Sequence, residues 1–127
     1  MEKVYLASPL FTEYEKEEVK SVASHLRSLG FEVYVPMEHQ IKEAWDKSNY
    51  NWAREVFKED IKQIQNCDVV YCIYYGLYSD SGTAWECGYA YGLGKPVYLI
   101  DHSNKECSLM VINGACNSYQ FREKEQT

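Results

Sequence analysis

The run DVVYCIYY (residues 68–75) is apolar or aromatic at every position after Asp68. A strand with one solvated face alternates apolar and polar residues; this one does not. Its continuous apolar character fits a strand covered on both sides, the kind found at the centre of a parallel sheet. That single element constrains the rest of the chain. Both faces of the sheet need cover, and parallel neighbours are reached only through crossovers, usually helices.

The flanking sequence supplies them in alternation. KVYLAS is a first strand that breaks at Ser8-Pro9. Thr12 with Glu15 three residues later has the capping-box pattern, and Val19, Val22, Ala23, Leu26 and Leu29 then recur at helical spacing up to a stop at Gly30. FEVYVP is a second strand closed by Pro36, and from about Trp52 a helical stripe returns through Phe57, Ile61 and Ile64. Gly82 to Leu93 is a helix capped by Asp80 or Ser81 and ended by Gly94. KPVYLI is a fourth strand, SLMVINGA a short helix and SYQF a last strand, whereas the polar stretch from Met37 to Asn51 resists assignment. The expectation is one domain over residues 1–127 with a flavodoxin-like open parallel sheet of about five strands and helices on both faces. In such folds ligands bind beyond the carboxyl ends of the strands, where strand order reverses.

Composition narrows the function classes. A formal net charge of -6 disfavours a nucleic-acid surface, which needs clustered Lys and Arg, and disfavours anionic membranes. No apolar run approaches the ~20 residues of a membrane span. Five cysteines, odd in number and without CxxC spacing, and no signal peptide ahead of Val4 point to a reducing cytoplasm and thiols that pack as core. His25, His39 and His102 lack metal-ligand spacing; only His39 lies in a loop of interest.

The carboxylates carry the chemistry. Between Val69 and Gly94 only Asp80 and Glu86 are charged, with no Lys or Arg near them in sequence. On a helical wheel Ala84, Cys87, Gly88 and Tyr91 form one face and Gly82, Glu86, Ala90 and Leu93 the opposite one, so the helix is expected to be covered on both sides, by the sheet on one and by a partner subunit or a ligand pocket on the other. A buried glutamate without a counter-charge has its pKa raised unless hydrogen bonds hold it ionised, and either state suits a functional carboxylate as well as a structural one. Asp80 fits a helix cap; Asp60 adjoins the stripe of Phe57, Ile61 and Ile64; Asp68 lies at the wrong end of the sheet.

VYLASPLFTEYE, EDIKQIQNCDVV and DSGTAWECGYAYGLGKPV, in that order, resemble the nucleoside 2-deoxyribosyltransferase family, over roughly Val4 to Ala115. The block D-x-G-T-x-x-E-x-G-x-A, from Asp80 to Ala90, is the most specific part. The resemblance implies transfer of 2-deoxyribose between nucleobases through a covalent sugar ester, without metal or cofactor. It makes Glu86 the nucleophile, Asp60 the group handling the base proton, Tyr5 the residue orienting the nucleophile and Asp80 a substrate contact. Phe11 falls where an aromatic packs on the base, and Gln40 where a glutamine reaches the base edge. Ser108 and Met110 fall where a neighbouring subunit completes the site, so the partners implied are nucleosides, free bases and further copies of the chain, as a dimer or hexamer.

One departure keeps a second reaction in view. Transferases of the family carry Asn where this chain has Ser108; the related N-glycosidases, which hydrolyse deoxynucleoside 5′-monophosphates, have Ser there. Those hydrolases also have Ser where this chain has Asp80, and two unit charges ~5 Å apart at an effective dielectric of ~20 repel by roughly 3 kcal/mol. A phosphate is therefore disfavoured beside Asp80. A nucleoside-binding module without turnover is a third reading. A flavodoxin-like electron carrier is a fourth, weakened because Pro9 removes a backbone N–H from the loop that would cradle phosphate.

Overall fold

Four strands among the described residues pair in the order β2-β1-β3-β4, all parallel: β1 (Lys3–Ala7), β2 (Glu32–Tyr34), β3 (Val69–Tyr74) and β4 (Val97–Asp101). The described residues of this computed structural model are 2–39, 49–78, 80–103 and 106–116. The fifth strand expected at SYQF lies outside them. β3 sits inside the sheet between β1 and β4, with all but one of its residues buried, as its continuous apolar run requires.

Helices cover both faces. α1 (Glu13–Ser28) lays Val19, Ala23 and Leu26 on Val4, Leu6, Val33 and Ile73. Its capping box forms as read: Thr12 Oγ1 accepts from the Glu15 N–H, and the Glu15 carboxylate accepts from the Thr12 N–H. Gly30 ends the segment at φ +97°, a backbone conformation that residues with a Cβ rarely adopt. The opposite face, built from Tyr5, Ala7, Val70, Cys72, Val97 and Leu99, receives Ile64 of α2 (Asn49–Asn66) and Cys87 and Ala90 of α3 (Ser81–Gly92). Val111 and Ile112 of α4 (Leu109–Gly114) pack against the same cluster. No helix is long and apolar enough to cross a membrane among the described residues.

Within this chain α3 buries only the stripe of Thr83, Cys87 and Ala90, while Trp85, Tyr91 and Leu93 are exposed. A helix lying on a sheet needs one apolar face, and the second apolar face here opens onto cavities. For the same reason the α2 stripe divides, with Ile64 buried, Ile61 partly buried and Phe57 largely exposed. α2 also starts at Asn49, ahead of the position near Trp52 where the apolar period begins.

Strand order reverses between β1 and β3, since β2 lies beyond one and β4 beyond the other. The crevice at this reversal is where a ligand belongs. Gly76, just past β3 at φ +75°, keeps the loop above it compact: a Cβ there would collide with the Glu106 carbonyl oxygen. A side chain at that position would force the loop apart.

Candidate active site

β1 presents Tyr5 toward the α2/α3 face of the sheet, where the residue is fully buried. Its hydroxyl donates a short hydrogen bond to Glu86 Oε2. Glu86 stands one residue before Cys87 in the buried stripe of α3, so the helix turns it toward β1 and away from solvent. Burial is the main force on the Glu86 carboxyl and raises it to about 8 from an ordinary 4.5; the Tyr5 hydrogen bond pulls it down, and the charges of Asp60 and Asp80 push it up. The Tyr5 phenol is shifted far upward, by burial first and by Glu86 next, so it stays a neutral donor.

Asp60 projects from α2 into the same space. Burial, followed by the charge of Glu59, pushes its carboxyl up to about 6. Asp80 is the N-cap of α3: its Oδ1 accepts from the Thr83 N–H at 3.2 Å and from the Thr83 hydroxyl. The glycine of the D-x-G-T block has a steric reason, since a Cβ on Gly82 would come 2.9 Å from Asp80 Oδ2. Thr83 thus fixes the free Asp80 oxygen toward the cavity side of the helix end.

Ser8, Asp60, Asp80 and Glu86 line one cavity of about 560 Å³, with Trp52, Phe57 and Trp85 as its apolar wall. Phe57 and Trp85 meet at 5.5 Å with their planes 57° apart. Trp85 stacks on Tyr89 at 5.4 Å, and the Tyr89 hydroxyl accepts from Gln65 Nε2 at 2.8 Å. The sequence pattern gave Trp85 no role; the available signal was an aromatic residue immediately before the lone buried glutamate.

Of the other expected site residues, those that are described lie outside the lining of this cavity. Phe11 is 77% exposed in the loop before α1, at the carboxyl end of β1. Gln40 lies outside the described residues. Ser108 and Met110 line a different cavity, about 460 Å³, together with Ala84, Gly88 and Tyr91 of α3. The Ser108 hydroxyl caps α4 by accepting from the Val111 N–H at 3.4 Å, and its own N–H donates to the Tyr74 hydroxyl at 2.7 Å. Met110 is 84% exposed. Asp68 is structural, accepting from the Lys3 N–H at 2.8 Å.

Two carboxyls with raised but different pKa values, beside a buried neutral donor, form a set that can divide acid and nucleophile roles. Glu86, once ionised, can stabilise and capture an electron-poor carbon; Asp60, in the form that carries the proton, can hand it to a leaving group. The aromatic wall suits a flat apolar group held against them.

Comparison with known proteins bears on this arrangement. The sequence profile described as nucleoside 2-deoxyribosyltransferase matches residues 4–122. Among solved structures, a 2-deoxyribosyltransferase from Bacillus psychrosaccharolyticus is 38% identical with a TM-score of 0.82, the match covering 89% of this chain and 82% of that one. A conserved protein from Enterococcus faecalis is 25% identical with a TM-score of 0.64, over 78% of this chain and 62% of that one. The CMP N-glycosidase of Clostridium botulinum matches with a TM-score of 0.62 over 99% of this chain and 100% of its own, but at 21% identity the likeness shows the fold alone. None of the curated proteins compared with the chain matches it.

Proposed function

The chain belongs to the nucleoside 2-deoxyribosyltransferase family, and from that premise we propose that it moves 2-deoxyribose from one nucleobase to another through an ester of Glu86. The observation that carries this reading is the meeting of Glu86, Asp60 and Asp80 in one cavity, with the buried Tyr5 hydroxyl on the nucleophile.

In the first half-reaction a Glu86 oxygen bonds to C1′ as the C1′–N bond breaks. The bonding pair leaves with the base, and Asp60 supplies the proton that neutralises it. In the second, a ring nitrogen of the incoming base attacks C1′, the ester C–O bond breaks, and Glu86 recovers its electron pair. The acceptor's proton returns to Asp60. Two inversions restore the starting anomer, in parallel with retaining glycosidases. Ping-pong kinetics follow when the first base leaves before the second enters. Asp80 contacts the sugar, and Phe11 and Gln40 hold the base. In a homo-oligomer, the exposed Met110 with Ser108 meets a neighbouring copy's site. Cysteines without paired spacing support a cytoplasmic enzyme of nucleoside salvage.

The hydrolytic alternative rests on Ser108 and finds less support. Its hydroxyl is engaged as a helix cap, and Asp80 puts negative charge where a 5′-phosphate would approach. Incubation with a purine deoxynucleoside and a different free base, followed by chromatography, separates the readings. A new deoxynucleoside carrying the second base establishes transfer. Free base released without exchange means hydrolysis, and no reaction with ligand-induced stabilisation means a binding module.

The carboxyl pair also sets a pH dependence. The competent form has Glu86 ionised and Asp60 protonated, so the pair holds one proton. With values of about 6 and about 8, that proton prefers Glu86. Moving it to Asp60 costs about 3 kcal/mol. Both placements have the same total charge, so this cost lowers the height of the profile without moving its limbs. The expected kcat/KM for exchange is bell-shaped, falling below about pH 6 and above about pH 8. A profile flat from about pH 5 to about pH 9 would remove these two groups as the titrating pair.

A further inference from the structure

Tyr5 is a long lever. Its hydroxyl lies at the far end of a ring hinged at the sheet, and a tilt of about 10° carries that oxygen roughly 1 Å, comparable to the tolerance of a preorganised site. Something must fix the tilt. Parallel pairing sets Tyr5 in register with Tyr34 of β2, so both rings rise from the same face of the sheet. The rings stack at 5.6 Å with only 20° between their planes. Behind Tyr34, the His39 ring stacks at 4.6 Å and 12°. The result is a three-ring column that starts at the nucleophile's donor and ends at the surface.

The outer end of the column is tied down. His39 closes the 3₁₀ turn Pro36–His39, whose Glu38 N–H donates to the Val35 carbonyl at 2.9 Å. Arg27, in the last turn of α1, donates to both Glu38 oxygens, at 2.9 and 2.6 Å, and to the Val33 carbonyl at 2.9 Å. A bidentate guanidinium–carboxylate pair fixes direction as well as distance. Helix α1, strand β2 and the turn therefore hold His39 over Tyr34 from outside the cavity.

We infer that Tyr34, backed by His39, is a positioning residue that holds the Tyr5 hydroxyl on the Glu86 carboxylate. Neither Tyr34 nor His39 lines the cavity of Glu86; the contact that joins them to it is the stack on Tyr5, although the charges of Asp60, Glu59 and Glu86 also reach the Tyr34 phenol. This rests on the transfer reading for its consequence in turnover, but the geometry has a readout of its own. The groups acting on Glu86 are Tyr5 from β1, Asp60 from α2 and Asp80 at the head of α3, with the Cys72 thiol of β3 nearby. Of these only Tyr5 lowers its pKa, so loosening the column raises it.

The test combines titration with kinetics. Carbon-13 labelled glutamate, with the Glu86 resonance assigned through Glu86→Gln, follows Glu86 by NMR in Tyr34→Leu, Tyr34→Phe and Tyr5→Phe. Tyr34→Leu should move the Glu86 midpoint upward, in the direction of Tyr5→Phe, and cut kcat about 10-fold with KM nearly unchanged. Tyr34→Phe keeps the ring and should behave as the natural protein. Combining Tyr34→Leu with Tyr5→Phe should lose no more than Tyr5→Phe alone, because both act on one hydrogen bond. An unmoved Glu86 midpoint in Tyr34→Leu, additive losses, or equal damage from Tyr34→Phe overturns the proposal. Should Tyr34→Leu fail to fold, His39→Ser at the exposed end of the column replaces it; a smaller upward shift supports the column and none overturns it. If the natural protein exchanges no bases yet the shifts appear, the transfer reading fails and the positioning role stands.

Discussion

Glu86→Ala is expected to abolish base exchange, by about 10⁴-fold or more, while the protein remains folded. The loss follows from the geometry. Glu86 holds the one cavity carboxylate that receives the Tyr5 hydroxyl, so no other group can take over capture of C1′. Incubating the natural protein with a deoxynucleoside and no acceptor, then quenching in acid, should leave one deoxyribosyl mass on the peptide containing Glu86. The variant should show none. Exchange that survives in Glu86→Ala removes the covalent mechanism.

The same residue carries a stability cost whose sign can be worked out. Glu86 in the folded chain titrates near 8 against an ordinary 4.5, so between those values the folded state binds more protons than the unfolded one. Stability therefore falls as pH rises through this window. The penalty is absent below about 4.5 and complete above about 8, where the shift corresponds to something on the order of 5 kcal/mol. Glu86→Gln should raise Tm above pH 8 and leave it nearly unchanged at pH 4. Glu86 is thus a charge the fold accommodates at its own expense, consistent with a residue retained for chemistry.

How legible this was depended on whether the signal was local. β3 was readable because an unbroken apolar run has few other solutions, and α1 because Thr12, Glu15 and Gly30 mark both ends chemically. Glu86 was readable as an anomaly, a lone charge in an apolar helix. The start of α2 was not, since Ser48, Asn49 and Asn51 are competing cap candidates and no apolar period chooses among them. Which cover lies on the second face of α3 was not readable, because a cavity wall and a buried interface have the same composition; Trp85 shows the difference only once α2 lies opposite. The capping role of Ser108 was overlooked beside its resemblance to a substrate contact. The Tyr5–Tyr34–His39 column was invisible because it depends on strand register, and register joins residues 29 positions apart in sequence.

Asp60→Asn gives the second large effect, and its pattern matters more than its size. Asparagine cannot supply the base proton, so exchange from an ordinary purine deoxynucleoside should slow by about 10²–10⁴-fold. A 7-methylpurine deoxynucleoside carries positive charge on its base, which departs without being protonated. For that donor the lost acid is irrelevant. A second consequence then becomes visible: Asp60 is one of the charges that raise Glu86, so its removal lowers the Glu86 pKa and leaves more nucleophile ionised at neutral pH. Base release from the methylated donor should hold steady or accelerate, and the Glu86 midpoint should drop below about 8. Single-turnover rates for the two donors, measured beside the NMR titration, separate these effects. Equal slowing of both donors removes Asp60 from its role as the leaving-group acid. Slowing of the ordinary donor alone assigns the leaving-group proton to Asp60, and the two raised carboxyls then have distinct roles set by their surroundings.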